Sequence, residues 1–327
     1  MAGHIWSGGV SGSLDVRSYW DGDSIVALAE HNDYLIVFGK RNILIYANAK
    51  NPLSMYLEDR IQGIGCIARD SVQHIGSDVI FLSDSGIQAL SRVVQEKSMP
   101  MRDISRNVHD DIITLIAGES STVKIKSVYS QVEGFYLINF PTSNITICFD
   151  IRNVLPDGSN RVTKWTGINT SGKSFPMVAA SNHVLYFGHN GKISYYTGYQ
   201  DNGSSYTMVY YTTWIDFGNA AIEKIIKKMV ATMIGGGGAT CTFRWFYDYA
   251  ETYDQQQITL SSGSYTSYYG TGTYGTSTYS TGQVIDIPAV QMTGTGKVVK
   301  VGLVMNVNGT GISLQKLDLF AKQGRMI

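Results

Sequence analysis

"DYLIVFGKRNILIYAN", residues 33–48, decides how the rest of the chain is read. A polar lead-in gives way to an apolar run, Tyr34 to Phe38. The turn-forming quartet Gly39-Lys40-Arg41-Asn42 follows, then a second run in which Ile43 and Ile45 alternate with other residues. Turn-tolerant residues between two such runs describe an antiparallel hairpin. Period two in the second run describes a strand.

The same grammar recurs in "SDVIFLSDSGIQALSR" (77–92), "EGFYLINFPTSNITICFD" (133–150) and "NHVLYFGHNGKISYYTG" (182–198). Their turns are Asp84-Ser85-Gly86, Pro141-Thr142-Ser143-Asn144 and His189-Asn190-Gly191. Starts near 34, 78, 135 and 183 give spacings of about 44, 57 and 48 residues, a period that suits propeller blades of short strands. A plain β-sandwich is the alternative, since regularly spaced strand and turn signals describe that architecture too. One helix is expected, over "DISRNVHDDIITLIAG" (103–118), where Ile104, Val108, Ile112, Leu115 and Ile116 share a face and Gly118 ends the run.

After about residue 205 the texture changes. "TMVYYTTWIDFG" (207–218), "EKIIKKMVATMIGGGGATCTFRWFYDY" (223–249), "QVIDIP" (283–288), "KVVKVGLVMNVNG" (297–309) and "ISLQKLDLFAK" (312–322) read as strands. The last keeps its alternation only with a bulge near Gln315-Lys316. The chain is therefore expected to be all-β, with a β-propeller over 1–205 and a β-sandwich-like domain over 206–327. Within the second domain, residues 261–282 contain only Ser, Gly, Thr and Tyr. Such a stretch forms no core by itself. Two readings of it stand: a plain flexible loop, or a contact surface presenting Tyr265, Tyr268, Tyr269, Tyr274 and Tyr279.

Bulk composition narrows the functions. Apolar residues are 43% of the chain and charged residues only 16%, with 35 Gly and 21 Tyr, a β-rich and turn-rich profile. Twenty-six basic residues balance 26 acidic ones, so no global field draws the chain to nucleic acid or to anionic lipid. Cys66, Cys148 and Cys241 lack both disulfide parity and zinc spacing and read as buried thiols. Neither a secretory signal nor a membrane span is expected.

Local chemical motifs are sparse. "GINTSGKS" (167–174) fits G-x-x-x-x-G-K-[ST], yet a phosphate loop needs a buried strand before it and a helix after it. Arg161 and Lys164 interrupt the upstream run, and Pro176 with Ser181-Asn182 leaves no room for the helix, so a polar turn between strands is expected. "HDD" (109–111) reads as the solvated side of the helix, "DGDS" (21–24) as a turn, and "GGGG" (235–238) as a hairpin loop. "EKIIKK" (223–228) reads as a charged edge or exposed face. "SDSG" (83–86) shares part of the aspartate-box turn of propeller glycosidases but lacks its aromatic. His4, His31, His74, His183 and His189 have no metal-binding spacing. No catalytic residue, metal or cofactor is expected.

Three segments together resemble the tail-nozzle, or packaged-DNA stabilisation, proteins of short-tailed bacteriophages: residues 33–55, 65–92 and 191–233, the last running from "GKISYYTGYQ" to "KKMVATM". The resemblance implies a β-propeller joined to a further β domain, in a virion protein assembled in the bacterial cytoplasm. It implies a homo-hexamer forming a tube below the portal and adaptor and above a needle or spike, retaining double-stranded DNA and conducting it during ejection without reading its sequence. A rival function is a glycan-binding or glycan-cleaving propeller acting in receptor binding. It asks for paired carboxylates, with Asp33, Asp78, Asp84 and Asp150 as candidates.

Overall fold

In the computed structural model, the strand Asn42–Ala47 is buried at every position, so both faces of its sheet are covered. The structure describes residues 15–323 apart from 21, 52, 77, 97–103, 157, 167–173, 179–183, 190–191, 202 and 262–284. Backbone contacts divide the chain into two compact units, Met1–Tyr196 and Thr197–Ile327.

Among the described residues, the first unit contains four antiparallel sheets in chain order. The first is β1 (Ile25–His31), β2 (Tyr34–Gly39), β3 (Asn42–Ala47) and β4 (Tyr56–Gln62). The second is β5 (Gln73–Ile75), β6 (Asp78–Ser83) and β7 (Gly86–Ala89). The third is β8 (Lys126–Ser130), β9 (Phe135–Phe140), β10 (Ile145–Val154) and β11 (Asn160–Thr166). The fourth is β12 (Ser174–Val178), β13 (Leu185–His189) and β14 (Lys192–Tyr195). Each sequence-predicted hairpin lies within one of these sheets.

Successive sheets pack face to face. Ile36, Phe38, Ile43 and Ile45 of the first share a core with Val79 and Phe81 of the second. Ile80, Leu82 and Ile87 of the second share another with Tyr136, Ile138, Phe140 and Phe149 of the third. Val128, Leu137 and Cys148 of the third meet Leu185 and Phe187 of the fourth. Neighbouring strand residues point to opposite faces, so Val79 and Phe81 serve one core while Ile80 and Leu82 serve the next. This explains why the first runs of the first three hairpins are continuously apolar. A two-sheet sandwich has one core between its sheets; here the inner sheets are covered on both faces, as stacked blades require.

Helices are few. α1 (Leu90–Glu96) begins where a continuing strand was expected, because Asp78 accepts Ser91 N at 3.0 Å and so caps the turn. α2 (His109–Gly118) realises only the second part of the helix expected over 103–118, with Ile112 and Leu115 buried and Asp110 and Asp111 exposed; Ile104 lies in a turn and Val108 in the 3-10 turn Arg106–Val108 before it. β11 and β12 flank residues 167–173. A strand, with Pro176 on the edge of its sheet, thus occupies the place where a phosphate loop needs a helix.

Carboxylates brace the turns. Asp23 accepts Lys40 N (2.9 Å), Arg41 N (2.8 Å), Asn42 Nδ2 (3.0 Å) and Ser24 N (2.8 Å). Glu119 likewise accepts Thr142 N (2.8 Å) and Thr142 Oγ1 (2.6 Å) at the β9–β10 turn. For Asp23, burial alone raises the pKa, but the donors led by Arg41 N outweigh it and hold the carboxyl below its ordinary value. A depressed folded-state pKa gives stability that is present above the unfolded value and lost as pH falls through the folded one. Asp23→Ala is therefore expected to cost about 2 kcal/mol at neutral pH. The gap from wild type should close below roughly pH 4 in urea titrations at stepped pH. A gap independent of pH would show that the carboxylate's charge is not what braces the turn.

In the second unit, one sheet runs β15 (Tyr206–Tyr211), β22 (Val299–Val307), β17 (Thr240–Tyr247), β18 (Asp254–Thr259). The other centres on β16 (Lys224–Gly235), with β23 (Ile312–Gln323) along one side and β21 (Thr295–Gly296), β20 (Ala289–Gln291) and β19 (Ile285–Asp286) along the other. Their inner faces share one core, including Met229, Met233, Phe243, Trp245, Val301 and Leu303. Met233 pairs with Leu314 and Thr232 with Lys316, so Gln315 is the extra residue of the expected bulge. The glycine run turns from β16 to β17; a Cβ on Gly235, whose φ is +82°, would lie 2.2 Å from Gly311 O. The lysine-rich start of β16 is not an edge. It lies between two strands, and Lys224 is 5% exposed, with its ammonium donating to Lys297 O at 2.9 Å and to Asn219 O.

Candidate interaction surface

The alternation that sends Phe243 and Trp245 of β17 into the core sends Arg244 and Phe246 to the opposite face of the sheet. Register assembles a group around them. Tyr211, Gly302, Arg244 and Gln255 stand across from one another on β15, β22, β17 and β18, and Lys300 stands across from Phe246. Gly302 is required: a Cβ there would lie 2.1 Å from Tyr211 Cδ1, so the bare backbone lets the tyrosine ring cross the strand.

Lys300 Nζ lies 5.2 Å from the Tyr211 ring centre, 5.6 Å from Phe246 and 5.9 Å from Trp214. The Arg244 guanidinium stands 4.6 Å from the Tyr253 ring; its Nη1 donates to Tyr211 Oη at 3.1 Å and its Nε to Gln255 Oε1 at 3.3 Å. Ring pairs Phe246–Tyr253 (5.2 Å) and Trp214–Tyr249 (4.8 Å) extend the group. Tyr249 remains 68% exposed and Tyr253 44%. Among the described residues no carboxylate forms an ion pair with Arg244 or Lys300. Each cation–ring contact contributes about 0.5–1 kcal/mol at such exposure. The result is two half-buried positive charges held in fixed places within an aromatic frame.

The sequence-predicted contact tyrosines, Tyr265, Tyr268, Tyr269, Tyr274 and Tyr279, lie outside the described residues. Ser261, at the start of that stretch, is held by Asp286, which accepts its N at 2.9 Å and its Oγ at 2.6 Å. Three of the four acids considered for glycan cleavage act as local braces. Asp33 pairs with Lys50, Asp78 caps α1, and Asp150 accepts Arg152 N at 3.0 Å. Asp84 and Asp78 stand at opposite ends of β6, about 20 Å apart at ~3.3 Å per residue, beyond the reach of a catalytic pair. All three cysteines are buried, and burial pushes Cys66 up to about 11 and Cys148 and Cys241 up to about 12. Among the described residues, no three His, Cys, Asp or Glu side chains are grouped to hold a metal, and no helix is long and apolar enough to cross a membrane.

Comparison with known proteins adds the family. Two solved structures share limited similarity. One is the extracellular domain of a putative hybrid two-component system from B. thetaiotaomicron, 11% identical over 57% of this chain and 29% of that one, TM-score 0.18. The other is a Bacillus thuringiensis Cry1Da tryptic core variant, 10% identical over 91% of this chain and 50% of that one, TM-score 0.21. The chain spans half or less of the length of either. No curated protein matches the sequence. The family model Phage_stabilise, described as Bacteriophage P22 Gp10, beta-propeller, matches residues 15–205, the stretch that carries all four stacked sheets. The chain, all-β with a β-propeller in its first part, belongs to this phage-stabilisation family.

Proposed function

We propose that the chain is a tail-nozzle subunit, copies of which close a six-fold ring below the portal and adaptor and above a needle or spike, retaining packaged DNA and conducting it during ejection. The observation that carries this reading is the family match over residues 15–205. Zero net charge supports it, because a lumen that neutralised many phosphates would hold DNA by counterion release instead of passing it. The role is geometric and asks for no reaction. In the virion, this chain is expected at about half the molar amount of the portal protein by quantitative mass spectrometry of purified particles, as a six-fold ring on a twelve-fold portal requires. Absence from particles, or a copy number tracking appended fibres, would instead favour the glycan-binding role.

A further inference from the structure

We propose that the outer face of the β15–β22–β17–β18 sheet docks an acidic segment of a neighbouring polypeptide, with Arg244 and Lys300 receiving its carboxylates between the exposed rings of Tyr249 and Tyr253. Of the proposed nozzle role it assumes only that the neighbour is another virion protein.

Three observations favour this occupant. The face is built from Tyr, Trp, Phe and Arg, the residue types that dominate the energetic centres of protein interfaces. Its cations are organised before any partner arrives: Arg244 has Nε and Nη1 fixed by Gln255 and Tyr211, and Lys300 sits among three rings. Charge placed beside rings and away from water interacts more strongly with an incoming anion than charge on a free surface stem. Neither cation has a carboxylate partner among the described residues, so both are free to receive one from outside the chain.

Other ligands fit less well. Duplex DNA calls for a basic stripe along its backbone, whereas this face has only two cations beside the neutral Gln255 and Gln257. A sugar ring would compete with the guanidinium for Tyr253 and with the ammonium for Tyr211, Trp214 and Phe246.

The test is fluorescence anisotropy with the full-length protein and a fluorescein-labelled oligoglutamate peptide, beside an oligolysine peptide and a short DNA duplex carrying the same label. The wild type is expected to bind oligoglutamate, to release it as salt is raised, and to ignore oligolysine. The double variant R244M/K300M, which keeps apolar stems, is expected to lose about tenfold in affinity or more. Tyr211→Phe, which keeps the ring but removes Arg244's hydroxyl partner, should fall between and guards against misfolding of the double variant. The proposal is overturned by a wild type that does not bind the acidic peptide, by equal binding in wild type and double variant, or by tighter binding of the DNA. Copy number per virion reads the nozzle role separately, so either can fail alone.

Discussion

Gly65→Ala is expected to lower the stability of the protein by about 4 kcal/mol, a loss comparable to much of the margin of an ordinary domain. A Cβ on Gly65 would lie 2.2 Å from Gly39 O, 2.5 Å from the Lys40 carbonyl carbon and 2.7 Å from Arg41 N. These are backbone atoms of the β2–β3 turn, so no side-chain rotation relieves the overlap. Nor can the turn retreat easily, because Cys66 N bonds Gly39 O at 2.8 Å on one side while Asp23 holds the Lys40 and Arg41 amides on the other. The link from the first sheet to the second thus passes directly beneath the first hairpin. Gly63→Ala is the control. Nothing lies within 4 Å of its Cβ position, and only its φ of +83° is strained, so a loss of about 1 kcal/mol is expected. Guanidinium unfolding of the two variants decides the matter: equal losses would mean that the turn yields to the added Cβ, because Gly65, unlike Gly63, has no left-handed strain to account for a loss.

The four hairpins were legible because each is local: an apolar run, turn residues, and a second run within about 16 residues. Even the continuous apolar run of β6 carries information about distant structure, since it records two cores on opposite faces. What was not legible depends on partners far away in the chain. α1 starts where it does because Asp78, 13 residues before Ser91, accepts that residue's amide. Lys224 is buried because carbonyls of Asn219 and Lys297 converge on its ammonium, the latter 73 residues away. β18, "DQQQIT", lies at a sheet edge, shows little apolar alternation, and is strand because β17 supplies its ladder. The cation-bearing face combines both cases. Arg244 and Phe246 on alternate positions of an aromatic strand were a local signal of a second, outward group. That Tyr211 and Lys300 join them follows only from β22 lying between β15 and β17, which no single stretch of sequence reveals.

Phe81→Ala is expected to cost about 3–5 kcal/mol, and its coupling to a second substitution tests how the sheets are stacked. Phe81 is fully buried, and its ring lies 4.9 Å from that of Phe38, across the interface between the first and second sheets. Phe140, equally buried, belongs to the core between the second and third sheets. If each pair of sheets has its own core, the double variant of Phe38 and Phe81 should depart from additivity by about 1 kcal/mol, since the two rings share one cavity and one ring contact. The double variant of Phe38 and Phe140 should be additive within a few tenths of a kcal/mol, because those rings line separate cores. Denaturant titrations of the three single and two double variants supply both cycles. Coupling of equal size in both would contradict separate cores and describe one continuous interior, the arrangement of a sandwich. Separate cores would also explain the tight passage at Gly65: the chain leaves the first sheet for the second between Ile64 and Cys66, both buried in the core those two sheets share.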